Sequence, residues 1–100
     1  MILVRDIFQV KFGKMKEAKA IWQEMTKLVS IPAGSQPSRL LTDLTGPYYT
    51  LVLESTFRDL KEYELRQPGG GDAGAKMGAL YQKLVPLVDS GRREIFTIVD

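Results

Sequence analysis

The chain has 100 residues, 44% of them hydrophobic, with 14 basic and 12 acidic side chains and a formal net charge of +2. That length makes one domain, residues 1–100, and so balanced a charge argues against a nucleic-acid or anionic-membrane partner. There is no Cys, His or Asn, which excludes disulfides, thiol nucleophiles, Cys-based zinc or iron–sulfur sites and the usual haem and zinc imidazole. We expect no metal and no cofactor. The opening MILVRDIF reaches Arg5 and Asp6 too early for a signal peptide, and no apolar run approaches a membrane span. A cytoplasmic protein is expected.

Ile2 to Val10 is rich in Ile, Val and Phe and reads as the first strand. Ile2, Val4, Asp6, Phe8 and Val10 share one face, and Leu3, Arg5, Ile7 and Gln9 the other. Both faces are mostly apolar, so both should be covered. Gly13 to Val29 reads as a helix, with Met15, Ala18, Trp22, Met25 and Val29 at helical spacing and Pro32 and Gly34 ending it. Trp22 is the sole Trp, and is either a core anchor or part of a pocket wall.

Ser38 to Phe57 reads as a hairpin closed at Gly46-Pro47. A two- or four-residue loop opposes Arg39 to Glu54, Leu41 to Val52, Asp43 to Thr50 and Thr45 to Tyr48 on one face. Leu40, Thr42, Leu44, Tyr49, Leu51 and Leu53 occupy the other, and an odd loop would slip the register. The Arg39/Glu54 pair is either a cross-strand ion pair, contributing roughly 0.2–1 kcal/mol, or a polar wall of a ligand cavity. Arg58 to Arg66 reads as a short charged helix with Leu60 and Tyr63 facing inward. Gln67 to Gly74 is glycine-rich, and its Gly69–Gly71 run reads as a surface loop or as a lid over a pocket. Ala75 to Val88 reads as the second long helix, kinked or ended by Pro86; Ser90-Gly91 is expected as a stop, and Arg93 to Val99 as the last strand.

The order β-α-β-β-α-β predicts an α+β, ferredoxin-like fold, a four-stranded antiparallel sheet with both helices on one face. The apolar content of the bare face predicts sheet-to-sheet dimerisation about a two-fold axis. Alternation leaves open which face meets the helices.

Four stretches carry a resemblance: VRDIFQVKFGKMKEA, RLLTDLTGPYYTLVLESTF, DLKEYE and YQKLVPLVDSGRREIFTIV. They resemble the dimeric α/β-barrel superfamily, near its NIPSNAP-like and antibiotic-biosynthesis-monooxygenase-like members. The resemblance implies a homodimeric dimeric α/β barrel with a small cavity between sheet and helices of each protomer, and it specifies fold better than chemistry. Its haem-degrading members use an Asn-Trp-His trio, and this chain lacks both Asn and His. A cofactor-independent oxygenase or isomerase acting on a phenolic or polyketide-like substrate stays open, as does a non-catalytic structural or interaction module. For an enzyme, Asp43 or Glu54 are the candidate bases, and Arg39 or Arg5 would steady an anionic oxygen. The expected ligand-binding set is Arg5, Trp22, Arg39, Asp43, Tyr48, Glu54 and Tyr81.

Overall fold

The computed structural model describes residues 1–28, 38–65 and 71–99. Its elements are β1 (Ile2–Val10), α1 (Met15–Lys27), β2 (Arg39–Thr42), β3 (Thr50–Phe57), α2 (Leu60–Leu65), α3 (Gly71–Leu84), a 3₁₀ turn (Val85–Leu87) and β4 (Val88–Thr97). All strand pairs are antiparallel in the order β2-β3-β1-β4, the ferredoxin-like arrangement.

The expected hairpin register holds, because Arg39 pairs with Glu54, Leu40 with Leu53, Leu41 with Val52 and Thr42 with Leu51. The turn is longer than expected, since neither strand enters residues 43–49. The register survives because the last ladder pair, Thr42 and Leu51, still encloses an even number of residues, 43–50. Asp43 closes it twice: its backbone N–H donates to Thr50 O at 3.1 Å, and its carboxylate accepts from the Thr50 N–H at 2.9 Å. Gly46 and Tyr49 supply the positive φ values, +112° and +61°.

α1 forms on Ala18, Trp22 and Met25, an i, i+4, i+7 stripe that is buried. The end signals expected for it, Val29, Pro32 and Gly34, lie outside the described residues. α2 is started by Asp59, whose carboxylate accepts from the Glu62 N–H at 2.9 Å, while Glu62 reaches back to the Arg58 N–H at 2.5 Å. α2 therefore begins at Leu60, not at Arg58.

Three boundaries differ near the C-terminus. The first half of the expected glycine loop, residues 67–70, lies outside the described residues, yet Gly71 already starts α3, so Gly71 to Gly74 are helical. The helix ends at Leu84 rather than Val88, because Pro86 has no N–H to continue it, and a 3₁₀ turn follows. Ser90-Gly91 is no stop. Both residues lie inside β4, paired with Gln9 and Phe8. A Cβ at Gly91 would stand 2.9 Å from Phe8 Cδ1 and 3.0 Å from Cε1, so glycine is what lets the Phe8 ring lie across β4.

The core lies between the sheet and α1 and α3. Val10, Ala18, Trp22, Met25, Leu51 and Leu84 form it, with Phe8, Leu40 and Leu53 against them. The face of the sheet that meets the helices is thus the one carrying Val4, Asp6, Phe8, Leu51 and Leu53.

Candidate functional site

A cavity of about 870 Å³ opens on the helix side of the sheet. Its apolar walls come from Val4, Phe8 and Leu53 on the sheet, Trp22 and Met25 on α1, and Met77, Tyr81 and Leu84 on α3. Phe8 and Trp22 pack with ring centroids 5.1 Å apart, which fixes the indole against the sheet. The Trp22 Nε1–H is buried and has no acceptor among the described residues.

Three polar side chains stand together in the same wall: Asp6 on β1, Arg93 on β4 and Tyr63 on α2. Asp6 and Arg93 are a cross-strand pair, and the Arg93 Nε–H donates to Asp6 Oδ1 at 2.5 Å. Arg93 Nη1 donates to the Tyr63 hydroxyl, and the guanidinium carbon lies 5.6 Å from the Tyr63 ring centroid. Tyr63 is in turn seated edge-on against Phe57, with centroids 5.2 Å apart. The Asp6 hydrogen bond pushes the Arg93 pKa up, against a smaller opposing effect of burial. The guanidinium is therefore a fixed positive group whose charge is already balanced. Its Nη2 has no partner among the described residues.

The seven residues expected to bind a ligand fall in three places. Trp22 and Tyr81 line the helix-side cavity. Asp43 and Tyr48 stand at the hairpin end, beside a second hollow of about 510 Å³ with Phe12, Met15 and Tyr49. Arg5, Arg39 and Glu54 project from the opposite, helix-free face of the sheet. They do not reach the cavity, because alternation sends residue 54 away from its neighbours Leu53 and Ser55.

On that free face the charges form a single row. Register places Arg39, Glu54, Arg5 and Glu94 side by side across β2, β3, β1 and β4. Glu54 sits between Arg39 (2.6 Å) and Arg5 (3.1 Å), with its side chain only 11% exposed. Glu94 lies 3.6 Å from Arg5 and 3.7 Å from Arg92.

Sequence reasoning missed Asp6, Arg93 and Tyr63 as a group. A signal existed for the first: Asp6 is the lone charge in the row Ile2, Val4, Phe8, Val10. Nothing local pointed to Arg93, whose pairing depends on β4 register.

Among the described residues no cluster of three His, Cys, Asp or Glu side chains is placed to hold a metal ion. No described helix is long and apolar enough to cross a membrane.

No protein-family model matches the sequence, and no curated protein matches it. Solved structures do match the fold. An uncharacterised NIPSNAP domain protein from Burkholderia xenovorans superposes with a TM-score of 0.75 at 15% identity, over 99% of this chain and 95% of that one. A NIPSNAP family protein from Agrobacterium tumefaciens gives 0.76 at 18% identity, over 99% and 93%. A Nitrosomonas europaea protein assigned by name to the antibiotic biosynthesis monooxygenases gives 0.78 at 13% identity, over all of both chains. At such identities the likeness is one of fold.

Proposed function

We propose that this ferredoxin-like protein binds a small organic molecule with an apolar, ring-like body and one hydrogen-bonding end, in the cavity between the sheet and α1 and α3. The observation that carries this reading is the cavity itself. Its volume of about 870 Å³ lies within the range of small-molecule sites, and it combines an apolar wall of Val4, Phe8, Trp22, Met25, Leu53 and Leu84 with a polar group, Asp6–Arg93–Tyr63, beside further polar lining such as Ser55 and Asp89. Phe8, Trp22 and Tyr81 offer ring faces, and Arg93 Nη2 offers a donor to a carbonyl, phenolic or carboxylate oxygen. We propose further that the chain works as a homodimer through the helix-free sheet face, where Leu41 and Phe96 are 37% and 47% exposed.

Trp22 lines the cavity, so its fluorescence reports occupancy. Hydroxylated naphthalenes and anthracenes should quench it saturably. Arg93→Met should weaken the fit at least about tenfold, the loss of one charge-assisted hydrogen bond, and Leu53→Trp should abolish it by filling the space. Arg39→Met should leave it unchanged. Saturable quenching that ignores both Arg93→Met and Leu53→Trp would remove the cavity as the site. No quenching by any compound, from a protein with native circular dichroism, would favour a structural or interaction module.

A second reading, cofactor-independent oxygenation or isomerisation, is favoured by Asp6. It puts a carboxylate in the cavity wall beside a guanidinium and a phenol, where a substrate proton could be taken and the resulting oxyanion held. The name borne by the Nitrosomonas europaea structure points the same way. Oxygen uptake with quinol or anthrone-type substrates that disappears in Asp6→Asn supports it, and no turnover by wild type counts against it.

A further inference from the structure

We propose that the hollow at the hairpin end is a second ligand site, which binds the methylated ammonium head of a small cationic molecule through an aromatic corner and the Asp43 carboxylate. It shares no wall with the helix-side cavity.

The hollow, of about 510 Å³, is lined by Phe12, Met15, Thr42, Asp43, Tyr48 and Tyr49. Its walls therefore offer ring faces, a thioether and one negative charge. Phe12 and Tyr48 are 84% and 78% exposed, so neither ring is used up by the core. Phe12 and Tyr49 meet edge to face, with centroids 5.1 Å apart and planes at 79°. Two rings near a right angle make a corner, and Tyr48 stands in the same wall. A cation within about 6 Å of a ring centroid is drawn to the ring face.

The backbone is held so as to make this corner. Tyr49 has φ +61°, a left-handed conformation that a bulky residue rarely adopts, and Gly13, next to Phe12, has φ +79°. The Tyr49 carbonyl accepts from the Val10 N–H at 2.9 Å, and Gln9 Nε2 donates to the Tyr48 carbonyl at 2.5 Å. Thr50 Oγ1 ties the loop to the Pro47 carbonyl at 2.9 Å, and the Lys14 N–H closes the other turn onto the Lys11 carbonyl at 3.0 Å. Strain of this kind persists where the surroundings over-determine it, and it clusters at ligand clamps. The rings are thus preorganised, which lowers the ordering cost of binding.

Asp43 decides the sign of the ligand. One carboxylate oxygen accepts from the Thr50 N–H, and the other takes no hydrogen bond among the described residues. Ring faces and a carboxylate both favour a cation. The basic residues flanking Phe12 and Met15 in the chain, Lys11, Lys14 and Lys16, are not among the walls, and Lys14 lies 3.9 Å from Glu17. Glu17 also stands in the first turn of α1, where it offsets the positive end of the helix. A bare ammonium is strongly hydrated, and these walls hold few acceptors for its three N–H groups. A methylated ammonium gives up less hydration and meets the rings and Met15 through its methyl groups.

The test is a titration of isotope-labelled protein with choline, followed by NMR. Choline should move the amide resonances of Phe12, Asp43, Tyr49 and Thr50 saturably and leave those of Asp6 and Arg93 in place. Its uncharged isostere, with carbon in place of the quaternary nitrogen, has the shape without the charge and should bind at least about tenfold more weakly. Phe12→Leu and Tyr48→Leu alter exposed rings, so both should fold, and each should raise the choline dissociation constant about threefold or more. Asp43→Asn keeps an acceptor for the Thr50 N–H and removes the charge. It should weaken choline by a similar factor and leave the isostere unaffected. An isostere that binds as tightly as choline would overturn the cationic assignment, and so would full choline affinity in a variant carrying both Phe12→Leu and Tyr48→Leu. No shift of these amides at about 50 mM choline, well above the millimolar constants of weak complexes, would remove the site. A trimethyllysine peptide that binds at least about tenfold more tightly than choline would overturn the small molecule as its occupant.

Discussion

The two faces of the one sheet carry different chemistry on alternate residues of the same strands. On the helix side, Val4, Phe8, Val10 and Leu51 meet α1 and α3, and Asp6 and Arg93 are a charged pair within that wall. On the other side, Leu3, Ile7 and Val52 flank the Arg39–Glu54–Arg5–Glu94 row. Each face mixes apolar and charged groups, but in different proportion and for different ends. The helix side has enough apolar surface to fold on, and its Asp6–Arg93 ion pair stands in a cavity. The free side has charges paired to one another, beside Ile7 and Val52, which are 7% and 8% exposed. An ion pair therefore does not by itself mark a ligand site; what matters is the element that covers it.

This contrast can be broken most strongly on the helix side. Leu51 is fully buried, so Leu51→Ala should lower the urea unfolding free energy by about 2–5 kcal/mol. Gly91→Ala comes next. The new methyl collides with the Phe8 ring, at a cost of roughly 1–3 kcal/mol. Adding Phe8→Leu should return part of that loss, and strict additivity of the two changes would refute the ring contact as its cause.

At the hairpin end, Asp43→Ala removes the acceptor of the Thr50 N–H and should cost about 1 kcal/mol, with the loop amide of Thr50 exchanging faster by NMR. Smallest is Arg39→Met on the free face. That side chain is 72% exposed, so the folding free energy of the single chain should change by less than about 1 kcal/mol. On the proposed homodimer, its effect should appear in association instead. A folding loss as large as that of Leu51→Ala would erase the distinction between the faces.

Much of this was readable in the residues. The Ile2–Val10 strand, the even hairpin loop and the Ala18, Trp22, Met25 stripe are local patterns, and local patterns survive folding. The Arg39/Glu54 pair was also readable, because the hairpin is short-range. The expected stop at Ser90-Gly91 failed because a glycine that makes room for a cross-strand ring looks, along the chain, like a glycine that breaks a strand. The helical start at Gly71 was hidden similarly by its glycine neighbours.

The sequence by itself determined the β-α-β-β-α-β order, the strand faces and the hairpin register, since these follow from side-chain period and turn chemistry between near neighbours. Only the tertiary structure decided which face the helices cover. That choice placed Arg5, Arg39 and Glu54 outside the cavity, and it brought Asp6, Tyr63 and Arg93 together from three elements spread over nearly the whole chain. The physical reason is that period-two alternation assigns residues to faces but is symmetric between them. The asymmetry comes from how α1 and α3 pack onto the sheet, and that is a long-range property.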